Sequence, residues 1–254
     1  MVQFHKYQGT GNDFIMVDNR SLEFYKEKAY IRKLCDRRFG IGADGLILLE
    51  NTPEADFKMV YYNADGGESS MCGNGGRCIV AFAAYLEIIT YATRFNAADG
   101  LHEATLKNGK VKLKMSDVAE WHTDGDDFVL NTGSPHYVRF VEDAKNTDVP
   151  VLGNKIRNSA TYCVEGINVN FAEKRGNNEL FVRTYERGVE DETYSCGTGA
   201  TAAALMFLKD HDADHVTVEV PGGRLFVYAK QNGAGFSDIW LEGPAAHVFT
   251  GFIN

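Results

Sequence analysis

One glycine-rich cysteine motif occurs twice in this chain, and the repeat constrains the fold more than any other feature. Segment 68–76, ESSMCGNGG, matches segment 192–200, ETYSCGTGA, and the two cysteines lie 124 residues apart (196 − 72) in a chain of 254. The Asn-Gly pairs at 108 and 232 have the same offset (232 − 108 = 124), and GNDF at 11 is similar to GSPH at 133. Several matches at nearly one offset indicate two related halves.

The sequence around the motifs predicts sheets with few helices. Most of it alternates polar and apolar residues in a period of two, as in 110–115, 216–220 and 224–229, which is typical of strands. Helical patterns cover roughly 22–38 and the stretches that follow each repeated motif, and the last two are apolar on nearly every side. We therefore predict an α+β fold of two pseudo-symmetric domains, each a curled, mostly antiparallel sheet around a central buried helix.

The offset of the repeat also predicts where the halves divide. We expect an N-terminal half over 1–117, joined by the C-terminal tail from about 243 to 254, and a second half over 118–242. Equivalent helices in such a duplication tend to face each other across a pseudo-twofold axis. Their N-termini would then meet in one ligand site.

Composition excludes several functional classes. The net charge of −9 argues against binding nucleic acid or an anionic membrane, and no apolar run approaches the roughly 18 residues that a membrane span needs. The polar, glycine-containing N-terminus lacks the pattern expected of a signal peptide. Five cysteines form no disulfide framework in a chain of this length, which favours a cytoplasmic protein. Cys72 and Cys78 are six apart with no nearby histidine, so we predict no metal site.

Each Cys-Gly-x-Gly segment has the chemistry of an anion site. The first amides of a helix lack partners within the helix, and together with the helix dipole they attract a carboxylate. The same surroundings lower the pKa of a cysteine from its ordinary value of roughly 8.5. Two such cysteines could act on opposite faces of an amino-acid α-carbon, one removing the proton and the other returning it.

Other interpretations of the repeated motif stay open at this point. A single cysteine is most often a small buried hydrophobe. Glycines before a helix also form phosphate loops, although neither motif continues into Gly-Lys-Ser/Thr or a full Gly-x-Gly-x-x-Gly. A redox pair is a third interpretation, although redox cysteines usually occur as Cys-x-x-Cys. The need for one acid/base group on each face explains best why the motif occurs twice.

Beyond these residues, the sequence resembles the diaminopimelate epimerase family almost end to end. The matching blocks are FHKYQGTGNDF at 4–14, RFGIGADGL at 38–46, YNADG at 62–66, MCGNGGRC at 71–78, GSPH at 133–136, NVNF at 168–171, YERG at 185–188, SCGTG at 195–199 and EGPA at 242–245. Proline racemases and phenazine-type isomerases share Cys-Gly-x-Gly, but the Glu-Arg-Gly block and the Gly-Asn-Asp-Phe opening favour the epimerase.

The resemblance implies a cofactor-independent epimerase of diaminopimelate, in lysine and peptidoglycan precursor synthesis. Cys72 and Cys196 would be the catalytic pair. The residues implied in substrate binding are Asn12, Asn63, Gly73, Asn74, Asn168, Glu186, Arg187, Gly197 and Thr198. Two further candidates, Ser134 and His136, belong to the GSPH block. A small-molecule substrate is the one partner implied, and a homodimer is the default expectation for a soluble enzyme.

Two departures from the family pattern stand out. Ser134 occupies a position where asparagine is common, and the loop between Arg187 and Cys196 has one extra residue. Two alternatives remain open from the sequence: a related racemase or isomerase of another amino acid, and a non-catalytic small-molecule-binding or thiol-redox protein.

Overall fold

The computed structural model describes residues 1–69 and 71–253. The helices are α1 (Lys28–Cys35), α2 (Gly73–Tyr85), α3 (Val149–Arg157) and α4 (Gly197–Leu208). The strands are β1 (Val2–Gly9), β2 (Asn12–Asp18), β3 (Gly45–Glu50), β4 (Phe57–Asn63), β5 (Glu68–Ser69), β6 (Ala92–Ala97), β7 (Gly100–Lys107), β8 (Lys110–Lys114), β9 (Trp121–Asp124), β10 (Asp127–Asn131), β11 (Pro135–Phe140), β12 (Asn168–Gly176), β13 (Glu179–Glu186), β14 (Asp191–Thr193), β15 (Val216–Val220), β16 (Gly223–Asn232), β17 (Gly235–Pro244) and β18 (Ala246–Ile253). Within the described ranges, no helix is long and apolar enough to cross a membrane.

The chain divides into two compact units. Unit 1 comprises Met1–Leu113 and the chain from Gly243 onward, and unit 2 comprises Lys114–Glu242. In unit 1, β18, β1 and β2 pair antiparallel, β3 joins parallel to β2, and β4 pairs antiparallel with β3 and β5. β6 runs parallel to β4, followed by antiparallel β7 and β8.

Unit 2 repeats this succession of pairings. β9, β10 and β11 pair antiparallel, β12 joins parallel to β11, and β13 pairs antiparallel with β12 and β14. β15 runs parallel to β13, followed by antiparallel β16 and β17. The duplication that the sequence repeat predicts is therefore present in the topology, and the mostly antiparallel α+β fold is confirmed.

In each unit, one helix packs on each face of the sheet, and the two units place these helices against equivalent strands. In unit 1, Ile15 and Val17 of β2 share a core with Ile31 of α1, whereas Phe14 lies against Gly75 of α2. In unit 2, Val169 and Phe171 of β12 share a core with α3, whereas Asn170 lies against Gly199 of α4. Because strand side chains alternate between faces, Asn12 shares the α2 face with Phe14, and Asn168 shares the α4 face with Asn170.

The predicted helices are present, but their ends differ from the expectation. α1 covers Lys28–Cys35 rather than 22–38, because Leu22 has a φ of 60° and the Phe24 amide donates to the Asn19 side chain, which holds this stretch outside a helix. α2 and α4 begin directly after Cys72 and Cys196, so the glycines form the first helical turn instead of a loop before it. Both helices are buried among strands, as predicted.

Both predicted Asn-Gly turns close hairpins. Asn108 and Gly109 have positive φ angles of 52° and 74° and form the two-residue turn between Lys107 and Lys110. At the second site the turn is shifted by one residue, since Asn232 pairs with Gly235 and only Gly233 of the Asn-Gly pair has positive φ.

α3 was not predicted, and its packing depends on a glycine. A Cβ at Gly153 would lie 2.3 Å from Cβ of Tyr185, so a side chain there must push the helix off β13. We expect Gly153→Ala to lower the free energy of unfolding by about 1–3 kcal/mol. Urea denaturation tests this, with Gly176→Ala as the control, because a Cβ at Gly176 meets its nearest atom at 3.6 Å. Equal stability of the two variants would contradict the packing argument.

Candidate active site

Cys72 stands at the start of α2 in unit 1. It has extended backbone angles (φ −102°, ψ 129°), and the Gly76 amide donates to its carbonyl over 2.7 Å as the first turn closes. The helix offers no acceptor of its own to the amides before Gly76. Cys72 is half-buried, so its thiol sits beside the positive end of a helix without being sealed from ligands.

Two asparagines accompany this thiol. The Cys72 Sγ donates to Oδ1 of Asn12 over 3.6 Å, and Nδ2 of Asn74 donates to the same oxygen over 3.3 Å. The structure thus brings together Cys72, which the repeated motif indicates, and Asn12 and Asn74, which the family resemblance implies. We call Cys72, Asn12, Asn74 and Arg77 the Cys72 group.

Arg77 is the fully buried cation of this group. Its guanidinium donates to Oδ1 of Asn74 over 3.0 Å, to Oγ1 of Thr10 over 3.1 Å and to the Gly73 and Pro244 carbonyls over 3.4 Å. Among the described residues, no carboxylate pairs with it. Burial lowers the pKa of Arg77 from its ordinary value, and the sulfurs of Cys78 and Cys72 oppose that shift. A buried cation therefore lies near the Cys72 thiol.

Cys196 occupies the equivalent place at the start of α4 in unit 2. Its backbone is again extended (φ −110°, ψ 110°), and the Ala200 amide donates to its carbonyl over 2.9 Å. The Cys196 Sγ lies 3.5 Å from Oγ1 of Thr198, and Thr132 Oγ1 donates to the Thr198 carbonyl over 2.9 Å. Both sequence motifs therefore produce the same local structure, a cysteine at the N-cap of a buried helix.

A second polar cluster in unit 2, the Arg187 group, joins Ser134, Asn168 and Arg187. Nδ2 of buried Asn168 donates to Oγ of Ser134 over 2.9 Å, and its Oδ1 accepts from the Arg187 amide over 2.9 Å. The exposed Arg187 guanidinium donates to the Glu165 carbonyl over 3.0 Å and to Ser134 Oγ over 3.5 Å. Ser134, which departs from the family pattern, thus contacts both other members directly.

His136 lies beneath the first turn of α4. It is fully buried, and its Nδ1 accepts from Nδ2 of Asn170 over 3.1 Å. Oδ1 of Asn170 accepts from Thr184, and a Cβ at Gly199 would lie 2.2 Å from that oxygen, so only glycine fits there. Nε2 of His136 has no hydrogen-bond partner within the described residues. Burial, together with the charge of Arg187, lowers its pKa to about 3, so this imidazole is neutral.

The neutral His136 should make stability fall with falling pH. In the unfolded chain it takes a proton below its ordinary pKa of 6.5, but the folded protein resists protonation down to about 3. Between those values the unfolded state binds more protons, which favours unfolding by up to about 1.4 kcal/mol per pH unit. Urea denaturation at several pH values should show a shallower decline for His136→Gln, and parallel curves for the two proteins would contradict this.

The other two predicted side chains, Glu186 and Asn63, lie at the ends of β13 and β4. Oε2 of half-buried Glu186 accepts from Thr193 over 2.9 Å. Asn63 is exposed at the end of β4, where its backbone closes the turn to Gly67, and its side chain makes no hydrogen bond to another described residue. The structure therefore does not join Asn63 to the Cys72 group.

The other cysteines have different surroundings. Burial raises the pKa of Cys78 to about 12 and that of Cys35 to about 11, which keeps both as thiols, and Cys163 is exposed. Within the described part of the chain, no three His, Cys, Asp or Glu side chains are placed to hold a metal ion.

Sequence reasoning missed the residues that support the site. Oδ2 of Asp44 accepts from Nδ2 of Asn12 over 2.6 Å, and no site role was predicted for Asp44, Arg77 or Asn170. Arg77 did carry a signal, because it is a charge inside an otherwise apolar helix. Asn170 could have been found from strand alternation, since it lies two residues after Asn168.

The family model and the relatives found by sequence agree on one family. The family model described as diaminopimelate epimerase matches residues 4–122 and 128–248. A diaminopimelate epimerase from Flavobacterium psychrophilum is 53% identical over 252 residues, covering 98% of this chain and 98% of that protein. One from Chlorobaculum tepidum is 42% identical and covers 97% of this chain and 99% of its own length.

Solved structures with lower identity share the fold. A phenazine biosynthesis protein of the PhzF family from Bacillus anthracis superposes with a TM-score of 0.74 at 15% identity, covering 98% of this chain and 97% of that one. A probable proline racemase from Agrobacterium radiobacter K84 gives a TM-score of 0.71 at 14% identity, covering 100% and 93%. At these identities the likeness concerns the fold alone.

Proposed function

Because the chain belongs to the diaminopimelate epimerase family, we propose that it interconverts LL- and meso-diaminopimelate through Cys72 and Cys196 without a cofactor. The observation that carries the proposal is the duplicated N-cap cysteine. Each half of the chain presents one cysteine sulfur at the N-terminus of a buried helix. An epimerase needs two acid/base groups, one for each face of the α-carbon.

The proposed reaction is a proton exchange that changes no oxidation state. A thiolate of one cysteine takes the α-proton, and the electron pair of the broken C–H bond delocalises into the adjacent carboxylate. The thiol of the other cysteine then gives its proton to the opposite face of the carbon. The thiolate and the thiol have thereby exchanged roles, and the stereocentre is inverted.

The reacting carboxylate needs donors that are fixed before charge develops on it. We assign this role to the main-chain amides of Gly73, Asn74, Gly197 and Thr198 in the first turns of α2 and α4. Amides at a helix N-terminus stabilise a developing negative charge without having to reorganise. Glycine at 73 and 197 lets a ligand approach the backbone closely.

The distal end of the substrate carries a second amino-carboxylate, which requires partners of both signs. Arg187 can pair with a carboxylate in two parallel hydrogen bonds, and Glu186 can accept from an ammonium group. Asn168 and Ser134 support the proposal through their contacts with Arg187. Asn12 and Asn63 complete the proposed contacts, since an amide can serve either group, and His136 remains a candidate beneath α4.

Incubation of the purified protein with LL-diaminopimelate tests this function. Chromatography that separates stereoisomers should show meso-diaminopimelate accumulating without added pyridoxal phosphate or metal. L-Proline and trans-4-hydroxy-L-proline serve as comparison substrates, because structural relatives of this fold include proteins named for them. Inversion of proline with no reaction on diaminopimelate would favour a related racemase. No α-proton exchange on any substrate would favour a non-catalytic protein.

Compartment and assembly follow as further proposals. Thiol catalysis suits a reducing compartment, so we place the enzyme in the cytoplasm. A homodimer is the default for a soluble enzyme of this size, and sedimentation equilibrium would measure it.

A further inference from the structure

A chain of hydrogen bonds with a fixed direction runs through the Cys72 group. Arg77 donates to Oδ1 of Asn74 over 3.0 Å, Nδ2 of Asn74 donates to Oδ1 of Asn12 over 3.3 Å, and Nδ2 of Asn12 donates to Oδ2 of Asp44 over 2.6 Å. Four side chains are thus linked from α2, through β2, to the residue that precedes β3.

The two ends of this chain determine the orientation of both amides. A guanidinium can only donate, so it requires the oxygen of Asn74 on its side. A carboxylate can only accept, so Asp44 requires the nitrogen of Asn12 on its side. Both requirements lead to the same arrangement in the middle, where Asn74 donates to Asn12. Neither amide can turn over without opposing a charged partner.

Asp44 is itself held in place. Its Oδ1 pairs with Arg37 over 2.8 Å, and the Asp13 amide donates to its Oδ2 over 3.2 Å. The Asp44 amide donates to the Asp13 carbonyl over 3.0 Å. Asp13 in turn pairs with Arg37 over 2.6 Å and with the nearly buried Lys6 over 2.7 Å.

The orientation of the Asn12 amide determines which of its atoms faces the Cys72 thiol. The amide oxygen of Asn12, not its nitrogen, lies 3.6 Å from Sγ, so it accepts a hydrogen bond from a thiol. A thiolate in the same place would face oxygen lone pairs instead of N–H groups. Hydrogen bonding to the neutral form of an acid favours that form.

We propose that Asp44 is a positioning residue which, with Arg77 at the opposite end, fixes Asn12 so that Cys72 is held as the protonated partner of the pair. Asp44 acts only through Asn12 and needs no contact with substrate. The role of this protonated state in catalysis rests on the proposed function. The orientation of the Asn12 amide and its effect on the Cys72 sulfur do not depend on that function.

Charged or titratable groups near the sulfur must be separated from this effect. Arg77 and Cys78 interact electrostatically with Cys72. Asp44 is linked to it through Asn12, and ion pairs continue from Asp44 to Arg37, Asp13 and Lys6. Removing the negative charge of Asp44 favours the thiolate by itself. A test must therefore distinguish loss of charge from release of Asn12.

The test measures the pH dependence of Cys72 alkylation by iodoacetamide, read from the Cys72 peptide by mass spectrometry. Asparagine at position 44 can donate as well as accept, so Asp44→Asn lets Asn12 turn its nitrogen toward the sulfur. We expect the alkylation midpoint to fall by about one pH unit. Asp65→Asn, which removes an exposed carboxylate of the same unit, should leave it unchanged.

The same substitution in an Asn12→Ala background separates the two causes. Without the Asn12 amide, Asp44→Asn should produce only the smaller shift that comes from losing its charge. A shift of equal size in both backgrounds would mean that Asp44 acts by its charge alone, and this would overturn the proposal.

If circular dichroism shows that Asp44→Asn does not fold, Asn12→Ala alone decides. Losing the Asn12 acceptor should lower the alkylation midpoint of Cys72, and an unchanged midpoint contradicts the proposal. These measurements need no substrate, so failure of epimerisation in the parent protein bears on the proposed function alone.

Discussion

Replacing either Cys72 or Cys196 with serine is expected to lower kcat for diaminopimelate epimerisation by about 10²–10⁴-fold, the usual contribution of a positioned acid or base. A hydroxyl is a far weaker acid than a thiol and supplies almost no base near neutral pH. KM should change little, because serine occupies nearly the same space. Initial rates of meso-diaminopimelate formation measure the effect, and Cys163→Ser is the control, since that cysteine is exposed.

Combining the two serine substitutions should lower kcat little further than either one alone. Because each catalytic cycle uses both sulfurs, the double variant should be about as slow as either single variant, as for other residues that act together. If one serine variant kept the parent rate, a mechanism with two thiols would be contradicted.

Replacing Arg187 with methionine should produce the second large loss. A charge-assisted hydrogen bond contributes about 1.5–3 kcal/mol, and a bidentate pair contributes more, so kcat/KM should fall by about 10²-fold. Most of the loss should appear in KM, because Arg187 is proposed to hold the distal carboxylate in the ground state and the transition state alike.

Arg175→Met is the matched control for this variant. Arg175 is another arginine of unit 2, paired with Glu173 and Glu219 away from the Arg187 group. Steady-state kinetics of both variants should show the loss for Arg187 alone. Equal kinetics of Arg187→Met and the parent would remove Arg187 from the distal site.

Local rules predicted the features that local residues determine. Asn108 and Gly109 form the expected hairpin turn because both adopt positive φ. The two buried helices after the motifs are also confirmed, since a helix that is apolar all round has no surface position available to it. The repeat predicted the duplicated topology, because residues at one offset occupy equivalent turns.

Features that depend on tertiary contacts were missed or misplaced. α3 contains Pro150 and Gly153, which lower helix propensity, yet proline suits the first turn and Gly153 is required by the close approach of Tyr185. The glycines after Cys72 and Cys196 are poor helix formers, and packing draws them into the first turns of α2 and α4.

In the candidate site too, the sequence indicated some residues and missed others that depend on tertiary contacts. The motifs pointed to Cys72 and Cys196, and the family resemblance pointed to Asn12, Asn168 and Arg187. The partners Arg77 and Asp44 depend on which strands lie side by side. β2 and β3 pair in parallel, with Phe14 opposite Gly45, and this register brings Asp44 next to Asn12. The sequence does not contain that register in any local pattern.

The most direct test of the central claim is the early course of the reaction in deuterium oxide. With LL-diaminopimelate as substrate, a two-base mechanism returns a solvent-derived deuteron to the inverted carbon, whereas unreacted substrate keeps its proton. Mass spectrometry of the separated isomers at low conversion should therefore find one deuterium in the meso product and almost none in the recovered LL substrate. Deuterium entering the recovered substrate as fast as the product, or no meso product at all, would contradict the account.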